Sequence, residues 1–169
     1  MTKFFIFLSL VLLVSLRIDA QNKDYDYEAV YTYNFTKYVN WPIEKGNNIV
    51  IGVVGGNNAL NSFRRMAKSK STSNRQFIVK PLVSSEQVAT CNIVFIAKSH
   101  EEEFRNVIKE AYNKPILLIT EESQYAKRGS SINFVTIAGK LRFEINQSYL
   151  QKTGLRVSNS LMQLAVSTN

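Results

Sequence analysis

The segment from residue 129 to residue 165 restricts the fold of this chain more than any other part of it. With a turn centred on Ala138-Gly139, this segment forms a β-hairpin that carries one mainly apolar row on a single face. The facing pairs of that row are Ile132 with Ile145, Phe134 with Phe143, and Thr136 with Leu141. The pairs on the other face are Asn133 with Glu144 and Val135 with Arg142. Ala-Gly is a poorer turn pair than Asn-Gly, so we expect a tight loop or one four residues wide, in the same register.

A helical pattern follows the hairpin. Beyond Gly154, small and apolar residues recur at helical spacing, namely Val157, Leu161, Leu164 and Ala165. The last third of the chain is therefore predicted to be a hairpin followed by one or two helices.

Strands and helices alternate in the middle of the chain. The predicted strands are residues 49–54, 77–83, 93–97 and 116–119. Pro81 marks an edge or a bend in the second of them. Apolar stripes at helical spacing begin at Leu60 and at Phe104. The alternation predicts one α/β domain at residues 24–167, with a mixed, mainly parallel sheet, flanking helices, and a C-terminal β-hairpin plus helix.

Residues 1–20 have the pattern of a signal peptide rather than of a folded element. Lys3 supplies a positive start, residues 4–16 are apolar apart from two serines, and Ala20 provides a small residue for cleavage. The apolar run of about 13 residues is too short to span a bilayer, so we expect an exported protein that does not itself span the membrane. The lone Cys91 excludes an internal disulfide framework and is predicted to be a buried small side chain.

The start of the mature chain is its most aromatic part. A helical spacing over residues 27–38 ends before Trp41-Pro42. We consider two interpretations of its aromatic residues: packing in the core, or a surface for a protein partner, since tyrosine offers large area at small entropic cost. The residues proposed for such a surface are Tyr27, Tyr31, Tyr33, Tyr38 and Trp41.

The charged residues favour neither nucleic-acid binding nor catalysis. The net charge is +8, but the basic residues are scattered, so we expect no nucleic-acid partner. His100 is the sole histidine and lies in a stretch, Ser99 to Glu102, with capping-box spacing, so a surface or capping role is expected. Too few ligands accompany it for a zinc site, and no serine-nucleophile motif is present. We therefore expect no enzyme activity, no cofactor and no metal.

Two weaker features point to a small-ligand site. Gly55-Gly56 joins a strand to a helix, the order in which helix N-termini bind phosphates, but the glycine spacing matches no nucleotide-binding motif. Glu121 and Glu122 follow the end of a predicted strand, where α/β sheets place ligands. A plain strand–helix turn is the favoured interpretation of the first feature, and a cleft is suggested by the second.

Three segments together resemble the YfiR-like (YfiR/HmsC) family. Residues 28–42, EAVYTYNFTKYVNWP, are similar to the opening helix of that family, and residues 91–97, CNIVFIA, to its central strand. The closing segment resembles the family's G-x-x-I-N-F-V, (K/R)-(I/L)-R-F-E-I-N and G-L-x-(I/V)-S-S-x-L-L-x-L-A motifs. Departures are Asn159, where a serine is common, and the lack of the cysteines that form disulfides in some members.

The resemblance implies an exported, periplasmic, non-enzymatic regulator with an α/β fold, often dimeric. Its best-known members bind the periplasmic sensor domain of an inner-membrane diguanylate cyclase and hold it inactive, which keeps cyclic-di-GMP and biofilm formation low. The alternative is a periplasmic small-ligand binding or sensing domain that uses the Gly55-Gly56 turn and the strand ends near Glu121.

The closing motif is interpreted as architectural. Its residues of interest are Asn133, Phe134, Arg142, Phe143, Glu144 and Asn146. Arg142 and Glu144 lie two apart on one strand and are expected to form an ion pair that holds the last helix. If that pair is half-buried, Arg142→Ala should lower the melting temperature, because it leaves a charge alone.

Overall fold

The computed structural model describes residues 23–42, 46–122 and 125–168. The predicted signal peptide at residues 1–20 lies outside them. The helices are α1 Asp26–Phe35, α2 Gly56–Lys70, α3 Glu101–Ala111, α4 Gln147–Thr153 and α5 Asn159–Leu164. The strands are β1 Val39–Asn40, β2 Asn48–Val54, β3 Gln76–Pro81, β4 Ile93–Ile96, β5 Leu117–Thr120, β6 Ile132–Ile137, β7 Lys140–Ile145, β8 Arg156–Val157 and β9 Ser167–Thr168.

The predicted mixed, mainly parallel sheet is confirmed. In the described part of the chain the main sheet has seven strands in the order β3-β2-β4-β5-β6-β7-β9. The strands from β3 to β6 are parallel, β6 and β7 pair antiparallel, and β9 adds in parallel to β7. A separate two-stranded sheet joins β1 to β8. Pro81 closes β3 at the sheet edge, where its missing N–H leaves no ladder bond unmade.

Helices cover both faces of the sheet, which explains why its central strands are apolar throughout. On one side α1 and α2 pack against each other and against a core that includes Phe63 and Phe95. On the other side α3 and the 3-10 turn Ser85–Thr90 enclose a second core with Phe104 at its centre. Cys91 is buried in this second core, as predicted.

The hairpin has the predicted register at every pair. Ile132 lies opposite Ile145, Asn133 opposite Glu144, and the remaining pairs follow in step to Ile137 and Lys140. The loop is two residues long, Ala138 and Gly139, and both have positive φ, at 49° and 72°. This is the geometry that matches the twist of the flanking strands, and it decides against the four-residue loop.

Ala138 is strained in this turn, because an alanine side chain disfavours the left-handed conformation. We expect Ala138→Asn to raise the free energy of unfolding by about 0.5–1 kcal/mol, since asparagine tolerates this conformation better. Urea denaturation of the two proteins measures the difference. A matched change at Ala89, which is outside the turn, should bring no such gain. Equal stability of Ala138→Asn and the parent would contradict the turn geometry.

Two local expectations are wrong. The predicted terminal helical pattern starts at Val157, but Val157 belongs to β8. Leu164 does lie in α5, as the last and exposed residue of that helix. A short strand paired with β1 replaces the first turn of that helix, and α5 is capped by the Ser158 hydroxyl, which accepts from the N–H of Leu161 at 3.3 Å.

The capping box at α3 is also absent. Ser99 has a φ of 68°, and His100 is the residue that precedes the helix, with no side-chain cap bond. The His100 ring instead lies within hydrogen-bond distance of the carbonyl oxygens of Ala97 and Lys98. The turn out of β4 is too tight for the extended conformation that a serine cap requires.

Candidate functional site

A buried ion cluster occupies the carboxyl end of the parallel strands. Glu121 directly follows β5, and Glu28 reaches the same place from the first turn of α1. The Lys23 ammonium lies 3.0 Å from Glu28 Oε1 and donates a short hydrogen bond to Glu121 Oε1. The side chains of both glutamates are only 4% exposed, whereas that of Lys23 is 48% exposed. One partly exposed cation therefore serves two buried carboxylates.

This arrangement makes Glu121 unusually easy to protonate. Burial raises the pKa of Glu121 to about 7, against the lowering effect of the Lys23 ammonium, and Glu28 raises it further. The N–H of Lys98 donates to Glu121 Oε2 at 3.2 Å. Within the described residues this nearly enclosed carboxylate thus accepts one hydrogen bond from the backbone. Burial lowers the pKa of Lys23, but the hydrogen bonds and charges of Glu121 and Glu28 outweigh it, so that this pKa is raised.

A second polar network begins at the residue before Glu121. The Thr120 hydroxyl, fully buried at the end of β5, donates to Asn133 Oδ1 at 2.7 Å and lies 2.8 Å from Ser130 Oγ. Asn133 Nδ2 donates in turn to Glu144 Oε2 at 3.2 Å. Asn133 therefore links β5 to β7 through its side chain, at a position where it is only 1% exposed.

The expected ion pair between Arg142 and Glu144 is wrong for the described structure. Glu144 accepts from Asn133 and from the Ser167 hydroxyl at 3.4 Å, and no ion pair joins it to Arg142, which is exposed. The strand twist and the neighbouring Asn133 amide give Glu144 a neutral partner across the sheet. The last strand is thus held to the hairpin by its backbone pairing with β7 and by the Ser167 hydroxyl, which donates to the Glu144 carboxylate.

Asn133, and not Arg142, is therefore the residue whose loss should destabilise the protein. We expect Asn133→Ala to lower the free energy of unfolding by about 2 kcal/mol, because it removes two side-chain hydrogen bonds, one to the buried Thr120 hydroxyl and one to Glu144. Arg142→Ala should change it by less than about 0.5 kcal/mol, since the side chain is exposed. Thermal and urea unfolding of both variants measures which of them loses more stability. A larger loss in Arg142→Ala would indicate that Arg142 does form the ion pair with Glu144.

The other motif residues fix α1 and α4. Phe134 and Phe143 are buried and form ring contacts with Phe35 of α1, with centroids 5.9 Å and 5.0 Å apart. Asn146 caps α4, because its Oδ1 accepts from the N–H of Tyr149 at 2.9 Å, and its Nδ2 donates to the carbonyl oxygen of Ala126 at 2.6 Å.

The five aromatic residues of the predicted partner surface do not all face solvent. Tyr27 is 77% exposed and Tyr38 is 39% exposed, and Val30 lies between them along the chain at 43%. Tyr31 and Tyr33 are partly buried against the core, where their rings contact other aromatic residues. Both interpretations from sequence thus apply, each to a different subset.

Trp41 belongs with Tyr31 and Tyr33. It packs partly buried against the core, and its indole Nε1–H is buried without a hydrogen-bond partner among the residues that the structure describes. It lies beyond the end of α1 and lines a cavity.

The helix α1 turns a different side inward from the one that its aromatic spacing suggests. Its buried residues are Glu28, Ala29, Thr32 and Phe35. A small residue, a hydroxyl and a carboxylate make up most of that side, so a hydrophobicity pattern does not detect it. The exposed side therefore keeps apolar residues that are available to a partner.

A cavity of about 420 Å³ adjoins the ion cluster. It is lined by Lys23, Lys98, Glu121, Glu122, Phe134, Val135, Thr136 and Leu141. The Gly55-Gly56 turn is not among these residues, and a side chain at Gly55 would lie 2.6 Å from Ala97 Cβ. The turn is therefore a site of close packing, as the favoured interpretation from sequence held.

Glu121 could be identified from its position after a strand, but nothing in the sequence identified Lys23 and Glu28 as its partners. Lys23 and Glu121 are 98 positions apart, so no local pattern connects them. The only available indication was that Glu28, a charged residue, does not lie on the exposed side of the first helix.

The described residues contain no group of three or more His, Cys, Asp or Glu placed to hold a metal ion. Within the same ranges, no helix has the length and apolar character needed to cross a membrane.

Two solved structures share the fold. A conserved domain protein from Vibrio cholerae matches with a TM-score of 0.58 and 11% identity, over 85% of this chain and 60% of that one. The ABC domain in complex with L-Trp from Streptococcus pneumonia matches with a TM-score of 0.52 and 11% identity, over 73% of this chain and 56% of that one. The chain thus spans little more than half the length of either protein. At such identity the likeness concerns the fold alone.

The sequence itself carries a stronger relationship. A family model described as YfiR/HmsC-like matches residues 25–166, which include α1, the whole main sheet up to β7, and the terminal helices. The match therefore covers the ion cluster from Glu28 to Glu121, the polar network at Asn133 and the exposed side of α1. This chain belongs to the YfiR/HmsC-like family of periplasmic regulatory domains.

Proposed function

We propose that this chain is an exported, non-enzymatic binding protein that holds an inner-membrane signalling protein inactive by binding its periplasmic sensor domain. A diguanylate cyclase is the target that the family relationship favours, with cyclic-di-GMP and biofilm formation as the output. The observation that carries the proposal is the exposed apolar and aromatic surface of Tyr27 and Val30 on α1, together with Tyr38 in the turn that follows the helix.

The packing beneath this surface holds α1 in place, which suits a binding role. Phe35 of α1 packs against Phe134 and Phe143 of the hairpin, and Glu28 is anchored by Lys23. The helix therefore presents Tyr27 and Val30 from a fixed position, so that little conformational entropy is lost when a partner binds. Tyrosine is also among the residue types that most often dominate the energy of protein interfaces.

The proposal is tested with a double variant, Tyr27→Ser with Tyr38→Ser, and a matched control, Tyr112→Ser. Tyr112 is also an exposed tyrosine, at 66%, but it follows α3 on the other side of the sheet. In a deletion strain with raised cyclic-di-GMP, the control should restore the low level and the double variant should not. Pull-down of a membrane sensor protein should follow the same order.

Some results would count against this proposal. A deletion strain with unaltered cyclic-di-GMP removes the cyclase as the target, and equal rescue by both variants removes the α1 surface. A homodimer through α1 is a further component of the proposal. Sedimentation of the parent and the double variant decides whether Tyr27 and Tyr38 contact a second copy.

A second candidate function is small-ligand binding or sensing at the carboxyl end of the sheet. The observation in its favour is the cavity of about 420 Å³ beside Glu121, which is of the size of small-molecule sites. A fold relative was solved with L-Trp, although likeness at 11% identity transfers no ligand. Thermal-shift screening of the parent and of Glu121→Gln tests it. A ligand that stabilises only the parent supports sensing, and an unresponsive parent opposes it.

A further inference from the structure

The first turn of α1 is joined to the sheet through the buried ion cluster. Lys23 lies three residues before the helix begins, and its ammonium contacts both Glu28 in the first turn and Glu121 after β5. The side chains of Glu28 and Glu121 also form a hydrogen bond with each other. No side-chain hydrogen bond caps the described start of α1 at Tyr25. The cluster is therefore a direct link between the amino end of this helix and the sheet.

The cluster contains more acidic groups than basic ones. Two carboxyl groups, each on a side chain that is only 4% exposed, face the single ammonium of Lys23. If both were ionised, the site would enclose an uncompensated negative charge, and two carboxylates in contact repel each other. One proton held between Glu28 and Glu121 makes the cluster neutral, with one carboxylate left to pair with the ammonium.

The other charged groups around the cluster supply no excess of positive charge. Lys98 and Glu122, which line the cavity beside Glu121, carry opposite charges. On the side of α2, Asp24 and Asp26 both pair with the Arg65 guanidinium, so that this group carries one negative charge in excess. Neither set of neighbours can therefore neutralise a second buried carboxylate.

The remaining neighbours of the cluster are uncharged. The Lys23 ammonium lies 4.6 Å from the ring centroid of Tyr25, and that ring packs edge-on against Phe95. Burial raises the pKa of Tyr25 above its ordinary value of 10.0, so the ring stays neutral near pH 7. The hairpin contributes only uncharged side chains to the cavity, namely Phe134, Val135, Thr136 and Leu141. The charge balance of the cluster therefore depends on a proton.

We infer that Glu28 and Glu121 share one proton and form a pH-controlled latch that holds the first turn of α1 on the sheet. With the proton bound, the cluster is neutral and the helix is held. When the proton is lost, the two carboxylates repel each other, and the amino end of α1 opens to water. Because α1 carries Tyr27 and Val30, the latch also acts on the partner surface; this extension rests on the proposed function, whereas the latch itself does not.

The latch is closed in mild acid and opens as the pH rises. Burial raises the pKa of Glu121 to about 7 from an ordinary value of 4.5; the Lys23 ammonium opposes this change, and the contact with Glu28 adds to it. Between these two values the closed state holds a proton that the open state has lost, so each rise in pH favours opening.

Hydrogen exchange tests the latch in the isolated protein, without a partner. Exchange is measured at about pH 5.5 and about pH 8, and each rate is divided by the intrinsic rate of an unprotected amide at that pH. The protection of the α1 amides from Ala29 to Phe35 should fall roughly tenfold or more between these two conditions. The protection of α3, which packs on the other face of the sheet, should change much less.

Two variants test whether the proton is shared. Glu28→Gln and Glu121→Gln each leave one carboxylate for Lys23, so the cluster needs no proton and α1 should be equally protected under both conditions. His100→Gln is the control, because it removes the sole histidine, the residue type that most often responds to pH in this range. It should lose α1 protection as the parent does. In a carbon-13 spectrum, the Glu121 carboxyl should titrate near pH 7 in the parent and lower in Glu28→Gln.

Three results would overturn the inference. The first is a parent protein whose α1 amides are equally protected under both conditions. The second is an equal loss of protection in α1 and α3, which would show that the carboxyl pair acts on the whole fold and not on one helix. The third is a pH response that survives in Glu28→Gln, which would show that Glu121 titrates alone and shares no proton.

Discussion

Glu121→Gln is expected to stabilise the protein above neutral pH and to change its stability little in mild acid. Burial raises the pKa of Glu121 in the folded protein to about 7, from an ordinary value of 4.5. Between these values the folded chain retains a proton that the unfolded chain has lost, so the free energy of unfolding falls as the pH rises. Protonation of Glu121 contributes its full stabilisation below pH 4.5, and this contribution is lost as the pH rises through about 7.

Glutamine keeps the size of the side chain and removes the charge that burial penalises, and its single oxygen can accept from either Lys23 or the N–H of Lys98. We expect a gain on the order of 2 kcal/mol at about pH 8 and almost none near pH 4.5. Lys23 retains Glu28 as its ionic partner in the variant, so no buried charge is left alone.

Urea denaturation of the parent and the variant across this pH range measures the effect. The control is Glu122→Gln, at the next position, which is not part of the ion cluster. It should leave the pH dependence of the parent unchanged. A parent whose stability is flat across the range, or a Glu121→Gln variant that is less stable at about pH 8, would show that Lys23 fully compensates Glu121.

Gly55→Ala is expected to lower the free energy of unfolding by about 3 kcal/mol. A Cβ at this position would lie 2.6 Å from Ala97 Cβ and 3.0 Å from Ala59 Cβ. Both neighbours are buried and too short to rotate away, so the start of α2 would have to move off the end of β4. The cost is one of overpacking in a dense interior.

Gly56→Ala is the matched control for this change. No heavy atom lies within 4 Å of a Cβ built there, and the cost is limited to a φ of 66°. We expect a loss of about 1 kcal/mol, the usual penalty of an alanine in the left-handed region. Urea midpoints of the two variants give the comparison. Equal losses would mean that the β2–α2 turn relaxes away from Ala97 at little cost.

The fold was largely predictable because it depends on local patterns. The apolar runs of β2, β4 and β5 identify strands buried on both faces, and the alternating residues of β6 and β7 set their register. A shift of one residue would have moved Phe134 and Phe143 to solvent, so the pattern permits one pairing. The two-residue turn could not be predicted from Ala138, because the register of the strands imposes its strained conformation.

The site was less predictable, since its parts come from distant segments. Glu121 was identified from its position after a strand, but its pKa depends on burial under α1 and on Lys23, which no spacing reveals. The expected Arg142 ion pair failed for a similar reason, because Asn133 on the neighbouring strand satisfies Glu144.

The sequence by itself determined the order of strands and helices, the hairpin register and the family, because each is recorded in residues close together along the chain. Only the tertiary structure decided which side of α1 faces solvent, where Lys23 finds its partners, and that the Trp41 indole N–H is buried without a partner among the described residues. These depend on contacts across the whole domain, where burial sets the strength of a charge or a hydrogen bond.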